Sequence, residues 1–61
     1  MSPQVSEIWR WTGTGARTVL VTGRIGSYED GISYRCVNLH TLCSEEMFWN
    51  KNNAPQWENL S

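Results

Sequence analysis

Between residues 5 and 12 apolar and polar positions alternate. That sets Val5, Glu7, Trp9 and Trp11 on one face of an extended chain and Ser6, Ile8, Arg10 and Thr12 on the other, the period of a β-strand. Gly13-Thr14-Gly15-Ala16 interrupts the alternation, because two glycines among small polar residues mark a turn or loop. From Arg17 the β signal resumes, and residues 18–28 and 32–41 read as the arms of a hairpin around Glu29-Asp30-Gly31. A three-residue loop with Gly31 in the left-handed conformation opposes Val21 to Leu39, Gly23 to Val37 and Val19 to Thr41, so that Val19, Val21, Val37 and Leu39 share a core face. An Asp30-Gly31 turn would scatter that set, since a slip of one residue reverses which side chains share a face. The longer loop is therefore favoured. Its other face carries Leu20, Arg24, Gly26 and Tyr28 across from His40, Cys36, Tyr34 and Ile32. Gly23 and Gly26 predict strong bending, or a place where a ring such as Tyr34 covers bare backbone.

After Leu42 the pattern changes. Residues 44–49 read as a short helical turn with Ser44 as cap and Glu45 and Glu46 at its positive end, with a fourth strand as the competing reading. Residues 50–55 have a loop composition, and Trp57 and Leu60 are placed to pin the tail onto the sheet. The expected fold is mainly β over one small domain, 1–61. It is a strongly bent antiparallel sheet or SH3-like barrel with one short helical turn near the C-terminus, and the pattern is compatible with SH3-like or Tudor-like small barrels.

Composition narrows the classes. Sixty-one residues leave room for one core, and a chain this short buries only about 60% of the surface it exposes when unfolded. Oligomerisation with copies of itself is the default source of further burial. A net charge of −1 argues against a duplex-DNA binder, which gains affinity by neutralising phosphates. No apolar run approaches the ~20 residues of a membrane helix. The Met-Ser-Pro-Gln start has neither a basic leader nor an apolar segment, so a cytoplasmic protein is expected. Two cysteines, Cys36 and Cys43, are too few for a disulfide framework. Short chains of this kind suit phage and mobile-element genes.

The residues with chemistry to offer are few. Cys36 and His40 on one strand would stand ~13 Å apart at ~3.3 Å per residue, beyond hydrogen-bond reach. Cys36 then reads as a small buried hydrophobe and His40 as a strand residue. Cys36, His40 and Cys43 have three zinc-type ligands in a spacing that is not a zinc finger's, so no metal is expected. Glu45 and Glu46 are adjacent and diverge, so they make no acid–base pair, and neither catalytic residues nor a cofactor are expected. Gly13, Thr14 and Gly15 followed by Arg17 could present donors to an anion, although no helix follows as in a phosphate-binding loop.

Four of the five basic residues are arginines, Arg10, Arg17, Arg24 and Arg35, all in the sheet region. Arginine binds carboxylate and phosphate in a planar fork and stacks on rings. Tyr28 and Tyr34 beside Arg24 complete the candidate contact set. Trp9, Trp11, Trp49 and Trp57 are expected in the core or an oligomer interface. These features lead to a non-catalytic protein-interaction module, an oligomeric inhibitor or adaptor that occupies a partner surface through aromatic and Arg anchors. The alternative is an oligomer that sequesters an anionic planar molecule such as a nucleotide without turnover. Single-stranded nucleic-acid binding ranks third.

Overall fold

The computed structural model describes residues 2–61; Met1, the first residue of the Met-Ser-Pro-Gln start, lies outside them. Five strands, β1 (Ile8–Trp11), β2 (Arg17–Tyr28), β3 (Gly31–Asn38), β4 (Ser44–Trp49) and β5 (Trp57–Asn59), form one antiparallel sheet in the order β4-β3-β2-β1-β5. The protein is mainly β, and its short helical turn is a 3₁₀ turn at Ala54–Gln56, directly before β5. The run Thr18-Val19-Leu20-Val21-Thr22, rich in β-branched residues, builds the buried half of β2. Residues 12–16 join β1 to β2, with Gly15 at φ +74° supplying the left-handed step.

One face of the sheet holds the core. Trp9, Val19, Val21, Tyr34, Cys36, Met47 and Trp57, drawn from all five strands, are buried together, with Trp11, Ile32 and Trp49 packed against them. A lone sheet buries one face only by curling over itself. The bend comes from β2, whose register against β3 shifts between Val21 and Gly23 and again between Arg24 and Gly26. Each bulge adds a residue to β2 and increases its twist.

The curl stops short of closure. Among the described residues no ladder joins β4 to β5, so the result is an open, strongly bent sheet rather than the SH3-like barrel offered as its alternative. Side chains bridge the gap. The Asn38 N–H donates to Cys43 O, and the alternation of an antiparallel ladder then turns the backbone groups of Ser44, Glu46 and Phe48 away from β3. Arg17 Nη2 donates to Glu46 O at 3.4 Å, and Asn53 Nδ2 to Phe48 O at 2.9 Å.

Several expectations need correction. Residues 44–49 are strand β4, not a helical turn. A six-residue helix standing alone is marginal, whereas here each residue gains a partner on β3 and Met47 is buried opposite Tyr34. The β2–β3 hairpin turns on Glu29 and Asp30 alone, with Tyr28 opposite Gly31. Gly31 belongs to the strand because a Cβ there would lie 2.4 Å from Phe48 Cζ and 2.6 Å from Trp49 O. With two bulges added, Val21 faces Cys36 and Val19 faces Asn38, so Tyr34 and Cys36 fill the core in place of Val37 and Leu39. Leu39 is 38% exposed, past the end of β3. At the other end, β1 is shorter than the alternation implied. Ser6, at φ +79°, breaks the strand and leaves Val5 exposed. The glycine expectation holds in modified form, because the ring over Gly26 is that of Tyr28, its hydroxyl 2.9 Å from where a Cβ would sit.

Candidate functional site

The open seam of the sheet is also a cleft. Trp11, Arg17, Phe48, Asn53 and Trp57 line a space of about 260 Å³ between the free edge of β4 and the ends of β1 and β5. Trp11 and Trp57 pair across β1 and β5, their ring centroids 4.9 Å apart and their planes tilted by 52°. Trp11 is held from below, since its Nε1 donates to Thr14 O at 2.9 Å and its indole lies over Gly13, where a Cβ would meet Trp11 Cζ2 at 2.7 Å. The glycine-rich loop therefore braces a tryptophan. Asn53 is fixed by a reciprocal pair in which Asn50 N–H donates to Asn53 Oδ1 and Asn53 N–H to Asn50 Oδ1.

The seam concentrates unsatisfied polarity. Arg17 Nε lies 3.4 Å from Glu45 Oε1, an ion pair that does not reach hydrogen-bond geometry, and both atoms are buried. Trp57 Nε1 is buried and, among the described residues, has no acceptor. Buried donors and acceptors are normally paired, and two of these atoms, Arg17 Nε and Trp57 Nε1, belong to side chains that line the cleft, so hydrogen-bonding capacity is left over beside it.

Of the residues singled out from the sequence, the structure brings Trp11, Arg17 and Trp57 to this cleft. Arg10 instead pairs with Glu58 on the outer face. Arg24 and Arg35 are exposed, form no ion pair among the described residues, and line neither of the two clefts described here. Tyr34, expected as an exposed contact, is 2% exposed and packs in the core, because the bulges turn it inward opposite Met47. Trp9 is buried, with its Nε1 donating to Glu7 Oε1 at 3.0 Å. Tyr28 and Trp49 belong to a second cleft of about 620 Å³ at the hairpin end, walled by the Glu29-Asp30 turn on one side and the turn at 50–52 on the other. Phe48 and Asn53 were absent from the sequence-derived set. Their signal is the spacing Asn50-x-x-Asn53 ahead of Ala54-Pro55, a side-chain-locked turn leading into the 3₁₀ turn.

No family model, curated protein or solved structure matches the chain.

The remaining reactive groups are occupied locally. Cys36 and Cys43 are free thiols. Burial pushes the Cys36 thiol above its ordinary pKa, with Glu45 adding to the rise and Arg17 opposing it, and its Sγ donates to Glu45 O at 3.6 Å. His40 and Cys43 lie in the β3–β4 connection, which is organised by Asn38. Asn38 Oδ1 accepts from His40 and Thr41 N–H at 2.8 and 3.1 Å, and Cys43 Sγ donates to Thr41 O. Among the described residues no three His, Cys, Asp or Glu side chains gather as metal ligands, and no helix is long and apolar enough to cross a membrane.

Proposed function

We propose that the chain is a non-catalytic protein-interaction module of the cytoplasm, of the kind an inhibitor or adaptor from a phage or mobile element would be, and that it grips its partner at the sheet seam. The observation that carries this reading is the convergence of the Trp11–Trp57 pair and Arg17 on one cleft, beside buried polar atoms that lack hydrogen bonds. Tryptophan and arginine are the residues most often found to dominate binding energy, provided they sit in a desolvated pocket. The seam cleft of 260 Å³ falls below the usual ~300–1,000 Å³ of small-ligand pockets and suits an inserted side chain better than a nucleotide, whereas the hairpin-end cleft of 620 Å³ lies within that range. The non-catalytic part is supported by the placement of the thiols, since Cys36 is buried, with its pKa raised by that burial, and Cys43 lies apart from it in the β3–β4 connection.

For self-association the outer face offers Ile8, Leu20 and Val37, a half-buried row across β1, β2 and β3. Self-association is not required for compactness. The accessible surface of 4085 Å² matches the roughly 4,000 Å² of a compact monomer of this mass.

The test is recovery of the tagged chain from its own cells in three forms: unaltered, Arg17→Ala and Arg24→Ala. A protein that accompanies the unaltered chain and Arg24→Ala in equal amount, and is lost with Arg17→Ala while melting shows the fold intact, is the expected result. Equal recovery from all three, or a retained mass of nucleotide size in native mass spectrometry, overturns the reading.

A further inference from the structure

The second cleft has a chemistry of its own. Its floor is the cross-strand pair of Ile32 on β3 and Trp49 on β4, both half-buried and packed against the core. Its hairpin wall carries Tyr28, which is 57% exposed, with Glu29 and Asp30 beside it. Most carboxylates elsewhere in the chain are engaged. Glu7 accepts from Trp9 and Gln4, Glu45 from Asn38 while facing Arg17, and Glu58 pairs with Arg10. Glu29 and Asp30 are exposed and, among the described residues, meet neither a cation nor a hydrogen-bond donor.

Lys51 lines the opposite wall of the same cleft and, among the described residues, makes no ion pair with either carboxylate. The far wall is also rigid. Asn50 Oδ1 accepts from Asn52 and Asn53 N–H at 2.9 and 2.8 Å, and Ala54 N–H donates to Asn50 O at 2.9 Å. That side of the cleft is therefore held by its own hydrogen bonds, which lowers the cost of ordering it around a ligand.

We propose that this cleft receives the side chain of a lysine or arginine from the protein partner, its aliphatic stem lying on Ile32 and Trp49 and its cation reaching Glu29 and Asp30. The two carboxylates outweigh the single Lys51, so the cleft carries one net negative charge, complementary to one cation. Tyr28 and Trp49 supply ring faces that attract a cation, and a long stem with a charged head matches an apolar floor with an acidic rim. The inference rests on reading the chain as a binding module, and it adds a second anchor. Residues 48–53 separate the two clefts, with Phe48 and Asn53 lining the seam and Trp49 and Asn52 lining the hairpin end, so one partner segment can engage both.

The test is a titration followed by two-dimensional ¹H–¹⁵N NMR, in which each of the four tryptophans contributes an indole N–H reporter. The probe is N-acetyl-arginine methylamide, with the norleucine and glutamate analogues as controls. The expected result is a saturable shift of the Trp49 indole and the Gly31 amide with the arginine probe, weakened by added salt, and weaker or absent with both analogues. The Asp30→Asn variant, in an exposed turn where folding is not at stake, should bind about two- to fivefold more weakly, as loss of one exposed ionic or cation–π contact implies. Equal binding of norleucine, preference for glutamate, absence of a shift, or movement of the Trp11 and Trp57 indoles in place of Trp49 overturns the proposal. None of these outcomes bears on the seam, whose reading stands or falls on the Arg17 comparison.

Discussion

Residues 17–21 and 22–28 are consecutive stretches of one strand, and they meet opposite environments. In the first, Val19 and Val21 are fully buried at 0% and 1% exposure, and Arg17 reaches across to β4. In the second, no residue is buried, two bulges break the register, and the strand continues beyond the core to carry the Glu29-Asp30 turn. The first half holds the molecule together, while the second bends the sheet and forms a wall of the larger cleft. The difference lies in the residues themselves. β-branched side chains at every second position fix a face, whereas Gly23, Gly26 and Ser27 leave the backbone free to kink.

Substitutions at the two ends should separate these roles. Tyr34→Ala removes the ring that shares the buried core with Val19 and Val21 of the first half and should cost about 3–5 kcal/mol. For 61 residues that is comparable with a whole stability of about 3–9 kcal/mol, so urea titration should find the variant largely unfolded. Ile25→Ala, in the projecting half and 42% exposed, should change stability by less than about 0.5 kcal/mol. Equal losses at the two sites would erase the contrast.

Glycine replacement sharpens it further. Gly31→Ala drives a methyl group into Phe48 and the Trp49 carbonyl and should cost about 1–3 kcal/mol. Gly23→Ala meets nothing closer than Arg35 Cβ at 3.9 Å and should be neutral or stabilising by up to about 1 kcal/mol. If Gly23→Ala proves the more damaging, the bulge beside it depends on glycine in a way its surroundings do not show.

The smallest effect concerns Glu7, which supports the first half through Trp9. The hydrogen bond from Trp9 Nε1, followed by that from Gln4 N–H, holds the Glu7 carboxyl below its ordinary value of 4.5. A depressed pKa gives stability that is present above pH 4.5 and is lost as pH falls through the folded-state value. Urea midpoints measured between pH 7 and pH 3 should fall slightly less for Glu7→Gln than for the unaltered chain. Parallel curves would show that the bond to Trp9 does not depend on the charge.

Much of the fold was legible where one period dominated. The β1 alternation, the Gly13 to Ala16 break and the hairpin near Glu29 all follow from spacing, because local pattern and tertiary structure agree there. The register was not legible, since the two bulges on β2 change which residues of β3 face the interior and bring Tyr34 and Cys36 inward. The composition of Ser44-Glu45-Glu46 is that of a helix start, so the strand reading of residues 44–49 ranks second in the sequence, and only the free edge of β3 decides for it. At the site, Trp11, Arg17 and Trp57 were legible by residue type. Their convergence was not, because it arises when the curled sheet brings β4 within reach of Arg17.

The outward carbonyls of β4 have one more consequence. A strand on the rim of a sheet is a template on which any passing extended chain can add itself, and a copy of the same protein is the chain most often nearby. Here Arg17 and Asn53 already occupy the Glu46 and Phe48 carbonyls, and a second β4 laid antiparallel about Glu46 would set one carboxylate against another. At that rim two side chains and a charge oppose sheet growth from molecule to molecule, so the edge of β4 is guarded although the sheet does not close.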